Sequence, residues 1–397
     1  MSMDAVGVSF QVAKDDLASA VAWVARNLSS KPTQPVLRAM LITADDEGLE
    51  FAGFDYEVSS KVRVPAEVKQ PGRIAVAGKL IADITATLPN KPVDVFVEGS
   101  TVQLVCGTSR FELPSIPLDD YPPLPALPAV TGAINPALFQ GAVTQVAAAA
   151  GKDDALPMLT GVFMEINGEE VTLTATDRFR LALRRFNWTP VTPDAQAKLL
   201  IPAKNLLENA RTLETNSTEP VEIAVGTGES IGEEGLFGIH VDSRQTTTRM
   251  LDADFPNVNP LLPKQHKSMA SVEISPLLDA IRRVSLVAER NAQIRMTFSR
   301  NELTLSAGGN DAGHAEESIP CAFTSDEPLL IAFNPAFLRD GLNVIRTDRV
   351  VFGFTEASRP AILIPEPEAL PEADADGMFP TPETDFTYLL MPVRLPG

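Results

Sequence analysis

The residues able to do chemistry are few and scattered. His240, His266 and His314 lie far apart and outside any metal-ligand spacing, so each is expected to be hydrogen-bonded or solvent-facing rather than ligating. Cys106 and Cys321 have neither a nearby histidine nor a C-x-x-C partner, which weakens nucleophile and zinc readings alike. No phosphate-binding G-x-x-x-x-G-K-[ST], no H-E-x-x-H and no G-x-S-x-G occurs. Gly226, Gly228 and Gly232 imitate a dinucleotide loop, but the last spacing is wrong and the run leads into an acidic turn rather than a helix. A hairpin connection is expected there. Carboxylates are plentiful, so their pairing carries no signal without geometry. No catalytic apparatus, metal or cofactor is expected.

The elements that must position any site recur. Ile74–Ile81, Leu199–Leu206 and Leu330–Phe337 each read as a short apolar strand passing into an amphipathic helix, at intervals of about 130 residues. An earlier helix precedes each. Asn135-Pro136 and Ser275-Pro276 are expected to cap two of these, the side chain satisfying free N–H groups while proline gives up one that had no partner. Leu138, Ala142 and Val146, then Leu277, Ile281 and Val284, and in the first repeat Leu17, Val21, Val24 and Leu28, fall on one helix face. Strand-like alternation follows at 49–54, 171–176 and 303–307, and again at 93–97, 221–225 and 350–354. The pattern of each unit is helix, strands, helix, strands: an α+β class with antiparallel sheet. Proline-rich joints at 114–128 and 255–263 separate the units as semi-rigid connections, giving domains 1–128, 129–262 and 263–397.

Composition sets the class. The 397 residues hold 33 Lys+Arg against 52 Asp+Glu, a net −19, with 44% apolar content. That describes a folded chain of several domains. No run is long and apolar enough to span a membrane, no secretory segment is expected at the start, and two cysteines suit a reducing cytoplasm. The charge argues against a uniformly basic nucleic-acid surface, because neutralising phosphates takes Lys and Arg.

Three stretches carry a resemblance. The ending Tyr388-Leu389-Leu390-Met391-Pro392-Val393-Arg394-Leu395, the motif Thr176-Asp177-Arg178-Phe179-Arg180-Leu181, and Lys31-Pro32-Thr33-Gln34-Pro35-Val36-Leu37 resemble the bacterial DNA polymerase III β sliding clamps, in order over essentially the whole chain, with details similar to the actinobacterial branch. The resemblance implies three DNA-clamp domains, each with two inner helices on outer antiparallel sheets, and a head-to-tail homodimer closing a six-domain ring. Double-stranded DNA would pass through it without sequence-specific contact. Replicative polymerase, clamp loader and repair proteins would bind through short peptide motifs, and no enzyme activity is implied. Processivity would follow from topology and a high effective concentration.

Carried over position by position, the partner groove takes Leu159, Thr176, Arg178, Phe179, Arg180 and Leu181, with Pro256 and Leu261 from the joint. Asn334, Phe337, Ser358, Pro360 and the tail Leu389, Leu390, Met391, Pro392, Val393, Arg394 and Leu395 complete it. Arg180 and Arg394 would meet backbone carbonyls or acidic groups of the partner. At the place of Arg180 and Leu181 the first repeat has Val58 and the third has Gly313 and His314, so one groove per chain is expected. Lys31, Lys79, Lys152, Lys204, Arg282, Arg283 and Arg290 recur at similar helix positions and are the expected DNA-facing cations. Phe111 and Leu286 are the expected apolar contacts of the dimer. The acidic, proline-interspersed 365–385 run is expected to be a mobile loop. A three-domain cytosolic scaffold or ligand-binding protein without a DNA role fits everything short of the resemblance.

Overall fold

The structure is a computed structural model describing residues 7–29, 32, 34–119, 121–226, 235–288, 293–309 and 313–395. Lys31 and Arg290 lie outside the described residues.

The first repeat runs β1 (Ser9–Val12), α1 (Lys14–Arg26), β2 (Ala39–Asp45), β3 (Gly48–Phe54), β4 (Val58–Val64), β5 (Glu67–Gln70), β6 (Gly72–Ala77), α2 (Gly78–Thr87), β7 (Val93–Glu98), β8 (Thr101–Cys106) and β9 (Ser109–Pro114). The second runs β10 (Val130–Ile134), α3 (Pro136–Ala147), β11 (Gly161–Asn167), β12 (Glu170–Thr176), β13 (Arg180–Asn187), β14 (Thr189–Pro190), β15 (Gln196–Pro202), α4 (Ala203–Arg211), β16 (Val221–Val225), β17 (Leu236–Val241) and β18 (Arg244–Arg249). The third runs β19 (Gln265–His266), β20 (Ser268–Glu273), α5 (Ile274–Val284), β21 (Ile294–Ser299), β22 (Glu302–Gly309), β23 (Gly313–Pro320), β24 (Ala322–Phe323), β25 (Leu329–Phe333), α6 (Pro335–Val344), β26 (Arg349–Phe354), β27 (Ala361–Pro365), β28 (Phe379–Pro380) and β29 (Phe386–Leu390). The three expected strand-to-helix passages are β6–α2, β15–α4 and β25–α6. β16 and β17 pair antiparallel as a hairpin, while Gly228 and Gly232 lie outside the described residues.

Contacts divide the chain into two units, 1–136 with 217–250, and 137–216 with 251–397, so the second repeat contributes to both. In the first unit one sheet runs β5-β1-β7-β8-β9 and another runs β10-β16-β17-β18-β4-β3-β2-β6. α1 lies on α2 and buries Leu17, Ala20, Val21 and Val24, spaced as one helical face requires, against Phe10, Phe51 and Ile74. In the second unit the main sheet runs β15-β11-β12-β13-β29-β27-β26-β20-β24, and a smaller one runs β23-β22-β21-β25. The chain's last strand, β29, is therefore inserted between β13 of the second repeat and β27 of the third. Gln140 and Gln145 tie α3 to α4 and α6 by donating to Ala210 O and Val344 O, each at 3.0 Å.

Two local expectations are corrected. Ser275 does not cap α5: the helix already begins at Ile274, and its N-cap, Glu273, makes no side-chain capping bond. The side-chain cap before a proline is found at α6, where Asn334 Oδ1 accepts from the N–H groups of Ala336 (2.9 Å) and Phe337 (3.3 Å), with Pro335 next. The acidic 365–385 run is not a free loop. Leu370 and Phe379 pack on the apolar cluster of the second unit, β28 pairs with β19, and Asp374 Oδ1 accepts from the N–H groups of Asp376 and Met378. Composition averaged over the run hides these few apolar anchors.

Candidate functional site

A tight turn between β12 and β13 starts the site. Asp177 Oδ1 accepts from the N–H groups of Phe179 (3.0 Å) and Arg180 (3.1 Å), while Asp177 N–H donates to Arg180 O (3.3 Å). Thr176 Oγ1 closes the base, donating to Arg180 O at 2.6 Å and accepting from Arg178 N–H at 3.2 Å. Asp at such a position folds its carboxylate back onto the chain. The turn forces Arg178 to a φ of 78°, a conformation that costs a non-glycine residue roughly 1–3 kcal/mol and persists only when its surroundings hold it. It lifts Phe179 into solvent, 54% exposed.

Arg180 is bonded within its own unit. It is only 5% exposed, with Nε on Asp177 Oδ2 at 2.9 Å, Nη1 on Asp340 Oδ2 at 2.6 Å, and its guanidinium 4.4 Å from the Phe337 ring centre. Tyr388 Oη lies 3.5 Å from Nη1 and donates to Phe337 O at 2.8 Å. Burial alone works against the Arg180 charge, but Tyr388, Asp340 and Asp177 outweigh it and hold the guanidinium above its ordinary value. Burial likewise pushes the Tyr388 phenol well up. Arg180 braces the turn against α6. Asp177, Asp340 and Tyr388 are the residues that hold Arg180, and sequence reading did not place them at the site. Asp177 before a turn was a usable signal, whereas Asp340 and Tyr388 come from another repeat.

Beneath the turn lies an apolar floor. Leu181 pairs across the sheet with Leu389, and Leu389 with Ile362; all three share one buried cluster with Leu183, Val258, Met269, Val351 and Ile364. The proline joint lies over this floor through Val258 and Leu262, with Phe255 stacked on Phe163 at 4.9 Å. Leu389 and Leu390 are thus core strand residues. The tail becomes available only past them: Met391 N–H donates to Phe179 O and Val393 N–H to Ala332 O, both at 2.8 Å. Phe179, Leu261, Met391 and Val393 stay exposed, Pro256 and Arg394 face solvent, and the Phe179 ring stacks on half-buried Phe337 at 6.0 Å. These exposed apolar groups, held by fixed backbone bonds, make an apolar surface patch of the kind that marks interaction sites. A cavity of about 850 Å³ continues the floor, lined by Leu183, Arg185, Leu262, Ile362, Thr384 and Thr387 among others, and by none of the residues chosen from sequence.

The other candidate residues divide. Thr176, Leu159 and Leu181 are buried, Pro392 and Leu395 half-buried, and Asn334 is occupied as the α6 cap. Pro360 stands half-buried at the start of β27, whose Ala361 pairs with Leu390, while Ser358 is exposed with no hydrogen bond to the groove among the described residues. Lys79 and Lys204 are exposed in the first turns of α2 and α4, and Lys152 is exposed after α3. Arg282 is exposed beside Asp279, but both Nε and Nη2 of Arg283 are engaged by Glu317, at 2.9 and 2.6 Å, so its charge is already neutralised. Phe111 is half-buried on β9 against the first unit's core, and Leu286 is 82% exposed. Among the described residues no group of His, Cys, Asp and Glu could hold a metal. Among the described residues no helix is long and apolar enough to cross a membrane.

The chain is a threefold-repeated α+β protein with an apolar seam where β29 meets β13 and β27. Its parts identify which kind. Residues 8–125, 133–257 and 259–373 match the N-terminal, central and C-terminal domains of the DNA polymerase III beta subunit, and the chain belongs to that family, the beta sliding clamps. It is 43% identical over 390 residues to the beta sliding clamp of Streptomyces coelicolor, covering 98% of this chain and 100% of that one. The crystal structure of the Bacillus subtilis sliding clamp superposes with a TM-score of 0.87 at 26% identity, over 98% of this chain and 100% of that chain. The Pseudomonas aeruginosa clamp bound to griselimycin does so at 0.85 with 26% identity and the same coverage.

Proposed function

We propose that two copies of this chain close head to tail into a ring of six domains, bounded near 1–128, 129–262 and 263–397, that encircles duplex DNA. The ring holds the replicative polymerase, clamp loader and repair proteins through short peptides seated in the Phe179–Leu261–Met391 groove. Family membership carries the sliding-clamp role in replication, against a scaffold without DNA. The observation that carries the peptide reading is the preformed apolar groove at the β13–β29 seam; the griselimycin-bound Pseudomonas clamp is consistent with it. The chain itself acts by position, not by chemistry.

The dimer reading rests on two open sheet edges. β9 ends one sheet of the first unit and β23 ends the smaller sheet of the second. An unpaired edge invites strand addition, and Arg110 on β9 and Glu316 on β23 carry opposite charge. The 285–287 turn packs beside β23, so the exposed Leu286 stands next to that edge. With a net −19, DNA is kept off most of the surface, and the exposed Lys79, Lys152 and Lys204 would supply salt-sensitive, sequence-independent contacts inside the ring.

The test is topological. Protein loaded on nicked circular DNA should co-elute with it in moderate salt and be lost on linearisation, because a ring slides off ends. Leu286→Asp should halve the mass in light scattering and abolish retention on circles. Equal retention on both DNA forms would reject encirclement. The groove is tested by titrating the C-terminal peptide of the organism's own replicative polymerase. Phe179→Ala with Met391→Ala should weaken it about 100-fold, as expected for two central apolar anchors; unchanged affinity by calorimetry would move the site elsewhere.

A further inference from the structure

The turn that founds the groove is repeated in the first unit. Between β3 and β4, Asp55 Oδ1 accepts from the N–H groups of Glu57 (3.0 Å) and Val58 (2.8 Å), and Asp55 N–H donates to Val58 O (3.2 Å). Tyr56 takes a φ of 74°, as Arg178 takes 78°. The following strand is seated alike. Arg249 N–H donates to Glu57 O at 2.8 Å, as Met391 N–H does to Phe179 O. β4 pairs Val58 with Thr248 and β17 pairs Phe237 with Thr248, while β13 pairs Arg180 with Leu390 and β27 pairs Ala361 with Leu390. By register, Tyr56 stands where Arg178 stands, Glu57 for Phe179, Leu236 for Pro360 and Arg249 for Met391.

The copy encloses a pocket of about 250 Å³ lined by Phe54, Tyr56, Glu57, Pro125, Leu236, Thr247 and Arg249. Phe54 and Tyr56 make an aromatic wall, 5.4 Å between ring centres at 59°, and Pro125 comes from the first proline-rich joint. Arg249 is exposed and has no ion pair among the described residues; Glu57 is exposed as well. The turn alone, with Val58 at the place of Arg180, offers no cation, which is why one groove per chain is expected from sequence. The cation arrives on β18.

We propose that this pocket is a second peptide-docking site, taking a segment with one large apolar side chain beside a carboxylate. The apolar group meets Phe54, Tyr56 and Leu236, and the carboxylate meets Arg249. The volume lies below the ~300–1,000 Å³ of drug-sized sites, so it admits a residue or two of an extended chain. Glu57 on the same rim repels a second acid and so sets the direction in which the segment lies. The ligand class rests on reading the second-unit groove as a peptide site.

The chain has three tyrosines, and two of them report the two sites separately: Tyr56 in this pocket and Tyr388 beneath the groove. In protein labelled with 3-fluorotyrosine, acetyl-Ala-Phe-Asp-Ala-amide should shift the Tyr56 fluorine signal saturably. Arg249→Glu should weaken that binding more than tenfold, Glu57→Gln should strengthen it severalfold, and an Asn-for-Asp peptide should bind as weakly to wild type as to Arg249→Gln. Both substituted side chains are exposed, and an unmoved Tyr388 signal with an unchanged circular dichroism spectrum would show intact folding. A stationary Tyr56 signal, or one that moves equally in Arg249→Glu, overturns the proposal. The polymerase-tail peptide read at Tyr388 in the same sample tests the groove independently. A Tyr388 shift with Tyr56 unmoved by the tetrapeptide rejects this pocket and keeps the groove, and the converse keeps the pocket and rejects the groove.

Discussion

Arg180→Ala is expected to destabilise the second unit by about 3 kcal/mol, not merely to remove a contact with a partner. The guanidinium is buried, bonded to Asp177 and Asp340 and stacked on Phe337. Removing one member of a buried ion pair leaves the others desolvated without a counter-charge, a loss of about 3–5 kcal/mol in well-buried cases. The low end applies because Asp340 is 42% exposed and can rehydrate, whereas Asp177, at 15%, cannot do so fully. Asp177 then loses its brace, and with it the strained backbone at Arg178 that lifts Phe179. Lysine would restore charge but not the two-pronged geometry, so Arg180→Lys should fall between. Trp188 is buried in the second unit with its indole N–H on Gly168 O at 2.9 Å, and in a Trp23→Phe background it reports that unit alone. Its urea midpoint should drop in Arg180→Ala, and Arg180→Met with Asp340→Asn should lose less than the sum of the single changes. A wild-type midpoint together with lost peptide binding would restore Arg180 to the role of a direct partner contact.

The reason this was not legible is distance along the chain. Asp340 and Tyr388 stand 160 and 208 residues from Arg180, and no local pattern announces that they meet it. What was legible is local or periodic. The passages β6–α2, β15–α4 and β25–α6 recur because each repeat must bury one helix face on its own sheet, so apolar spacing and strand-to-helix punctuation survive in the sequence. Caps were hard to place: Ser275, read as a cap, falls inside a helix that starts earlier, while Asn334 before Pro335, read only as a groove residue, is the one that caps α6. Phe179, Leu261 and Met391, read from the sequence as groove residues, are all exposed. Leu389 and Leu390, read the same way, are core residues, because alternation along the strand cannot tell that β29 would be walled in on both sides by β13 and β27. The second-unit cavity and the pocket at Arg249 were missed for the same reason: both are made by strand register between repeats, which a one-dimensional reading does not contain.

Stability of the second unit is expected to fall as pH drops from about 6.5 toward 4, and one histidine accounts for it. His266 is fully buried, with Nε2 2.8 Å from Thr381 Oγ1. Thr381 gives its own hydroxyl hydrogen to Pro263 O at 2.7 Å, so it accepts from His266 and the hydrogen sits on Nε2. Nδ1 is then bare, has no partner, and lies so close to Gly353 that a Cβ there would stand 2.7 Å away. Protonating Nδ1 would place a charged N–H in a dry space without an acceptor, and burial accordingly lowers the imidazole to about 4. Between that value and the unfolded value near 6.5 the unfolded chain binds the extra proton and the folded chain does not. Stability is therefore complete above about 6.5 and is lost as pH falls through the window, by roughly 3 kcal/mol in all at 1.36 kcal/mol per unit. The loss acts where the acidic run is fastened, since His266 pairs with Phe379 and Thr381 N–H is held by Lys264 O. Protease cutting within 366–378 should therefore accelerate at pH 4.5 relative to pH 7, before global unfolding. His266→Gln keeps a donor for Thr381 but has no proton to gain, so its Trp188 urea midpoint should be lower than wild type at pH 7 and nearly flat between pH 7 and 4.5. A slope in that variant equal to wild type would assign the pH dependence to other groups.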